Sequence, residues 1–358
     1  MRIFAVSDIH GHYTELKKAL DNAGFDSSDP NHILICCGDC FDRGSENRMV
    51  LEYLNSLERK ILIRGNHEDI LENILECRQL DRVDIYNGAD ITVYEFFGDA
   101  STDRNGRINL SNHTNTLNDL KDFLGSMYDF FETDRNVFTH AWLPIVRDDD
   151  KSALHPDFKY AEKSQWHSAR YYEWVHALDS GLTLKDKAVV CGHRAACNAY
   201  KIDNSRDPDD FSIFQTPEVV AIDSLTVRTH KVNVYVTDDN IPRPKHHEMS
   251  LNRKFFDLIK ERKKTLEIRL LDEKRKALSL GDVIEFTCAE APEKKLVRRV
   301  VGLYRYDSLS LLTRDFSAAE LGYTLAEFEH FPDEISQIYS EDQISEHGLL
   351  AIRLSHII

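Results

Sequence analysis

Five short segments of this chain put metal-binding side chains at the ends of apolar runs. Ile3-Phe4-Ala5-Val6 leads into Asp8 and His10. HILICC leads into Asp39, Asp42 and Arg43, and KILIRG into Asn66, His67 and Glu68. NVFTHA carries His140, and AVVCGHR carries His193. Carboxylate, amide and imidazole donors in one set suit divalent first-row metals better than calcium, which takes oxygen alone. One Asp-x-His is as readily a turn as a site. Five segments in order, each delivering an oxygen or imidazole donor, make a metal site the better reading.

Those donors need elements to hold them. The five runs are β-branched and aromatic, which predicts buried strands. YTELKKALDNAG and ENRMVLEYLNSLE carry apolar residues at three- and four-residue spacing, which predicts helices between them. Strand and helix alternate, so an α/β fold is expected, with its ligands at the carboxyl ends of the strands. DITVYEFFG and VVAIDSL…VNVYV read as further strands without intervening helices, giving a mixed, layered sheet. Residues 99–124 and 144–184 are expected to cover or border the site. Phe158, Tyr160, Trp166, Tyr171, Tyr172 and Trp174 in the second stretch are read as core.

The 358 residues carry a net charge of −16, and the length suits two domains. TDDNIPRPKHHEMS, with two prolines and a His pair, marks the break, placing domains at 1–244 and 245–358. The first has 27 Lys+Arg against 41 Asp+Glu, a poor surface for nucleic acid. Residues 245–314 have 17 basic and 11 acidic side chains, the one basic stretch. No apolar run is long enough to span a membrane, and the N-terminus lacks a signal-peptide pattern. Seven irregularly spaced cysteines read as reduced thiols in a cytoplasmic protein. Cys37-Gly38-Asp39-Cys40 reads as packing within the metal block rather than a redox pair.

SDIHG, GDCFDRG, RGNHE, THA and CGH, spanning residues 7–193, resemble the signature blocks of the calcineurin-like metallophosphoesterases. The resemblance is to the phosphoprotein-phosphatase branch and its bacterial and phage relatives. It implies an α/β/β/α sandwich holding two divalent metals, Mn²⁺ foremost, with Fe or Zn²⁺ as alternatives. Asp8 and His10 would hold one ion, Asp39 would bridge, and Asn66, His140 and His193 would hold the other. The ions would polarise the phosphoryl oxygens and turn a bridging water into hydroxide for in-line attack. Arg43 and Arg64 would clamp the phosphate bidentately. His67, oriented by Asp42, would protonate the leaving oxygen. The last block reads GHRA, so Ala195 cannot be a second ligand there, a departure that fits the phosphoprotein branch. Trp142 stands where that pattern has glycine and would add bulk near the site. Arg170 and Arg194 are candidates for a further phosphate-binding arginine.

Residues 249–358 carry KKTLEIR, GDVIEF and GLLAIRL, and resemble an ASCH domain, a small β-barrel related to PUA domains. That resemblance implies RNA or a modified nucleoside bound in a cleft. Lys264, Glu267 and Arg269, set among apolar residues along a strand, are the cleft candidates. Some ASCH proteins are amidohydrolases with a Thr three residues after the Lys. Here that residue is Glu267, so the activity is not carried over. The expected function is a dinuclear-metal phosphomonoesterase acting on phosphoserine or phosphothreonine in proteins. The alternatives are a nucleotide or RNA-end phosphatase guided by the ASCH domain, and an RNA-binding protein with a vestigial phosphatase domain.

Overall fold

The computed structural model describes residues 1–98, 102–148, 151–202 and 209–356. Contacts divide it into two units: residues 1–154 with 167–242, and residues 155–166 with 243–358.

The strands of the first unit are β1 (Arg2–Val6), β2 (His32–Cys36), β3 (Lys60–Leu62), β4 (Phe130–Glu132), β5 (Asn136–Thr139), β6 (Ile145–Asp148), β7 (Lys151–Leu154), β8 (Ala188–Cys191), β9 (Phe214–Gln215), β10 (Val219–Ala221) and β11 (Tyr235–Asp238). They form one sheet in the order β11-β1-β2-β3, another in the order β4-β5-β8-β10-β9, and a β6-β7 hairpin. β1, β2 and β3 are parallel, with Ile3 opposite Ile33 and Leu34 opposite Lys60. β11 joins antiparallel, with Phe4 opposite Val236. In the second sheet β5, β8 and β10 are parallel, while β4 and β9 run antiparallel at the edges. Both sheets are therefore mixed.

Phe4, Val6, Leu34 and Cys36 face a core that includes Leu16, Leu20, Val50 and Leu54 from helices Tyr13–Ala23 and Asn47–Ser56. Ile3, Ala5, Ile33 and Ile35 on the other face are buried too. Burial on both faces is why these strands read as unbroken apolar runs.

DITVYEFFG is a helix, Ala89–Phe97, not a strand. Its β-branched and aromatic composition favours a strand, but Ala89, Thr92, Val93, Phe96 and Phe97 bury one helical face. Gly88 before it and Gly98 after it, both at positive φ, bound the helix. Trp142 is fully buried, with its indole N–H donating to the Leu182 carbonyl at 3.1 Å, so it adds no bulk to the metal cavity. Phe158, Trp166 and Trp174 are core residues, whereas Tyr172 is exposed.

The second unit holds β12 (His246–Leu251), β13 (Leu266–Leu270), β14 (Val283–Cys288), β15 (Ala291–Tyr306) and β16 (Leu349–Ser355), paired in the order β12-β14-β15-β16-β13. Only β12 and β14 are parallel. Among the described residues no ladder joins β12 to β13, so pairing leaves the sheet open where a closed barrel was expected. Residues 155–166, expected in the first domain, belong to this unit. The Lys163 N–H donates to the Tyr306 hydroxyl, the Ser164 N–H to the Asp315 carboxylate, and Lys163 pairs with Glu320 at 3.1 Å.

Candidate metal centre

The loops that follow β1, β2, β3, β8 and β10 meet over one cavity of about 370 Å³, and His140, after β5, is buried beside it against Asn66 and His193. Asp8, His10, Asp39, Arg43, Asn66, His67, His193, Arg194 and Asp223 line it. These loops turn sharply. Ten non-glycine residues have positive φ among the described residues, and six of them are Asp8, His10, Asp39, Asp42, Arg43 and His193. Such backbone is costly and persists only where its surroundings hold it. Glu68 does much of the holding: its carboxylate accepts from the N–H groups of Asp39, Cys40 and Gly65 at 2.8–2.9 Å. Gly192 must be glycine for close approach, since a Cβ there would strike Ser7 Oγ and Asp8 Oδ2.

Two donor groups share Asp39: His10 with His67, and His140 with His193. His10 Nδ1 donates to the Phe41 carbonyl at 3.0 Å, and His140 Nδ1 to the Cys37 carbonyl at 2.8 Å. Each ring therefore turns its Nε2 lone pair toward Asp39, at 3.7 and 3.5 Å. Asn66 Oδ1 lies 3.0 Å from His140 Nε2 and 2.9 Å from His193 Nδ1, with the two imidazole nitrogens 3.2 Å apart. Three acceptor atoms in contact have at most one ring proton among them, an arrangement a cation would relieve.

The charge state agrees. Burial, reinforced by His67 and Arg43, holds the His10 imidazole well below its usual range. Burial also lowers His140, and burial with His140 and Arg194 pushes His193 down to about 2. These rings are neutral and free to ligate. Burial, Asp8 and Glu68 push the Asp39 carboxyl well up. Burial and Asp8 do the same to Asp223, against the pull of Arg43 and Arg194. Crowded carboxylates beside neutral imidazoles fit divalent cations, which would supply the missing positive charge. Asp8, His10, Asp39, Asn66, His140 and His193 are the residues that could hold them.

His67 Nδ1 meets Asp42 Oδ2 at 2.7 Å, and Asp42 Oδ1 accepts from the Thr92 hydroxyl at 2.5 Å. Arg43 is exposed at the rim, with Nη1 3.1 Å from His10 Nε2 and Nη2 3.1 Å from His67 Nε2. Arg64 is elsewhere. Its buried guanidinium donates to Glu72 at 2.7 and 3.2 Å, to Asp69 at 3.2 Å and to the Leu124 carbonyl at 2.9 Å. Four acceptors hold it outside the cavity, so the expected second clamp is a structural ion-pair residue. Arg170 is likewise buried against Asp129 and Asp69, whereas Arg194 reaches the cavity.

Sequence reasoning missed Asp223 and Glu68. Asp223 follows β10 as the other donors follow their strands, and that position was the available signal. Glu68 stood inside the quoted RGNHE without a role.

In the second unit Lys264, Glu267 and Arg269 do line one cleft, of about 330 Å³, with Phe255, Tyr323 and Glu334. Lys264 Nζ lies 3.5 Å from Glu267 and donates to the Leu321 carbonyl at 3.2 Å. Arg269 pairs with Glu267 at 2.9 Å and donates to the Ser250 carbonyl at 2.9 Å.

A curated protein of Buchnera aphidicola subsp. Schizaphis graminum, named a symmetrical bis(5'-nucleosyl)-tetraphosphatase, is 41% identical over 69 residues, 19% of this chain and 24% of its own length. The chain thus spans about a quarter of that relative. A crystal structure described as a putative diadenosine tetraphosphatase is 15% identical, with 67% of this chain and 95% of that one covered and a TM-score of 0.38. A Pyrococcus furiosus protein solved by NMR is 32% identical over 31% of this chain and 96% of its own, with a TM-score of 0.26. The family model for calcineurin-like phosphoesterases matches residues 1–197, the stretch that carries Asp8, His10, Asp39, Asn66, His140 and His193. This chain belongs to the calcineurin-like phosphoesterase family.

Proposed function

We propose that the chain is a metal-dependent hydrolase of phosphate esters and anhydrides whose preferred substrate is a nucleotide with several phosphates, such as a dinucleoside polyphosphate. The observation that carries the reading is the contact of Asn66 Oδ1, His140 Nε2 and His193 Nδ1 beside Asp39, with Asp39, Asn66 and His193 lining the cavity. The relatives named tetraphosphatases support the nucleotide over the phosphoprotein.

Asp8, His10 and Asp39 would hold one cation, and Asp39, Asn66, His140 and His193 the other. Two divalent ions, proposed as Mn²⁺, would polarise the phosphoryl oxygens and activate water. Arg43 binds and orients the phosphate through its paired N–H donors. The P–O bond to the leaving group breaks as water oxygen bonds to phosphorus. His67 gives its proton to the leaving oxygen, and Asp42, steadied by Thr92, orients the imidazole.

The serine/threonine phosphoprotein reading stands second, supported by the GHRA block, where buried Ala195 lines the cavity in place of a further imidazole. An RNA-end substrate guided by an ASCH-type cleft stands third. A vestigial phosphatase domain fits poorly with a complete donor set. The test is product release by the Mn²⁺-loaded full chain on diadenosine tetraphosphate, a phosphoserine peptide and a 5'-phosphorylated RNA, with Asp39→Asn as blank. The expected result is a kcat/KM at least about tenfold higher on the tetraphosphate. Preference for the peptide or the RNA would promote that reading instead, and silence on all three would end the hydrolase reading.

A further inference from the structure

The cavity is larger than one phosphoryl group requires. At about 370 Å³ it has the size of a site for a small organic ligand. Its lining extends past the donor cluster to Arg194, Asn198, Leu225, Thr226 and Val227. The described lining residues include two cationic side chains, Arg43 and Arg194. They attend different halves of the cluster. Arg43 touches His10 and His67, one donor group around Asp39, and Arg194 directly follows His193 of the other.

Arg194 differs from the arginines that serve the fold. Arg64 and Arg170 are buried and saturated by carboxylates. Arg194 is exposed, and among the described residues its guanidinium pairs with no carboxylate. Its backbone is fixed by a tight turn in which its N–H donates to the Gly192 carbonyl at 2.8 Å. The next turn is tied to the Asp223 loop by the Ala196 N–H donating to the Asp223 carbonyl at 2.8 Å. A guanidinium held at a cavity rim with its donors unspent is suited to a phosphate oxygen. Three buried carboxylates, Asp8, Asp39 and Asp223, surround the floor. Every additional phosphate of a substrate therefore needs a cation of its own.

We infer that Arg194, with Asn198 and Thr226 beside it, forms a subsite for a second phosphate adjoining the one attacked, so that the enzyme selects substrates with consecutive phosphates over phosphomonoesters. This deepens the proposed function and rests on it for turnover, but not for binding. Arg43 serves the reacting phosphate, which every substrate has. Arg194 serves the neighbouring phosphate, which only a polyphosphate has. The expected signature is a loss confined to one substrate class.

The experiment uses the Mn²⁺-loaded full chain and its Arg194→Ala and Arg194→Lys variants. Two quantities are read: kcat/KM on diadenosine tetraphosphate and on p-nitrophenyl phosphate, and calorimetric affinity for imidodiphosphate, which has two linked phosphates. Arg194→Ala should lose roughly 10- to 100-fold on the tetraphosphate and in imidodiphosphate affinity, the size of one charge-assisted clamp. On p-nitrophenyl phosphate it should lose less than about threefold. Arg194→Lys should recover part of the loss, because charge is kept and the bidentate fork is not. Equal losses on both substrates, or an unchanged imidodiphosphate affinity, would overturn the subsite. If the wild type fails to cleave the tetraphosphate, the proposed substrate falls, and imidodiphosphate affinity alone still decides the role of Arg194.

Discussion

The metal cavity of the first unit and the cleft of the second both bury charge, but they balance it differently. In the cleft, Lys264 and Arg269 both face Glu267, at 3.5 and 2.9 Å, and carbonyl oxygens take further donors. Two cations share one carboxylate, and neutral carbonyls take part of the remaining donors. In the cavity, Asp8, Asp39 and Asp223 are buried beside imidazoles that burial keeps neutral. The nearby arginines, Arg43 and Arg194, are exposed. Buried charge without a partner is costly. The cleft sets its cations against a carboxylate of its own; the cavity has a donor set that could hold cations from solution.

Removing the central carboxylate should separate the two most sharply. Asp39→Asn keeps an oxygen to accept from the His67 N–H, now at 3.0 Å, but removes the shared negative donor. Turnover should fall by more than about 10³-fold. In chelator the same variant should be more stable than wild type, by about 1 kcal/mol, because a crowded buried carboxylate is gone. Thermal unfolding with and without Mn²⁺ checks both halves. A lower melting temperature in chelator would mean that Asp39 is already balanced within the protein, and the contrast with the cleft would collapse.

The opposite sign is expected in the second unit. Glu267→Gln leaves Lys264 and Arg269 facing a neutral amide in a buried setting. Breaking one member of a buried ion group typically costs about 3 kcal/mol. Hydrogen exchange of the β13 and β16 amides, which pair at Glu267 and Ile352, should accelerate accordingly, in chelator and in Mn²⁺ alike. Unchanged protection there would make the triad a surface decoration of the cleft.

The same contrast explains what could be read from the sequence. The donors were legible because a buried parallel strand is apolar throughout, so the polar residues at its end stand out. Asp8, His10, Asp39, Asn66, His140 and His193 all have that form, and so does Asp223, which lacked only a neighbouring glycine or histidine to draw attention. Arg43 and Arg64 sit in equally suggestive blocks, and tertiary pairing separates them. Asp69 and Glu72, one turn apart on helix Asn66–Cys77, capture Arg64. Their spacing was visible, but the closing contact with Leu124 comes from 60 residues away. The placement of residues 155–166 in the second unit was hidden for the same reason: Lys163 meets Tyr306 across 143 positions. Helix Ala89–Phe97 was obscured by composition, its β-branched and aromatic residues being chosen for packing rather than propensity.

The smallest expected effect tests how completely the cleft balances itself. Burial lowers the Lys264 ammonium below the usual lysine range, and Glu267 offsets only part of that. The unfolded chain therefore holds this proton more tightly than the folded one. Below the depressed folded value both states are charged, and the burial cost is constant. Between that value and the unfolded lysine value of about 10.4, the unfolded state binds more proton, so this group's contribution to stability rises with pH. Lys264→Met removes the titration while keeping an unbranched side chain against Phe255, whose ring centroid lies 4.9 Å from the ammonium. Urea unfolding of both proteins from pH 7 upward should show the wild type gaining on the variant by less than about 1 kcal/mol as the window is entered. Parallel curves would mean that Glu267 neutralises Lys264 in full, and the cleft would be still better balanced than its geometry indicates.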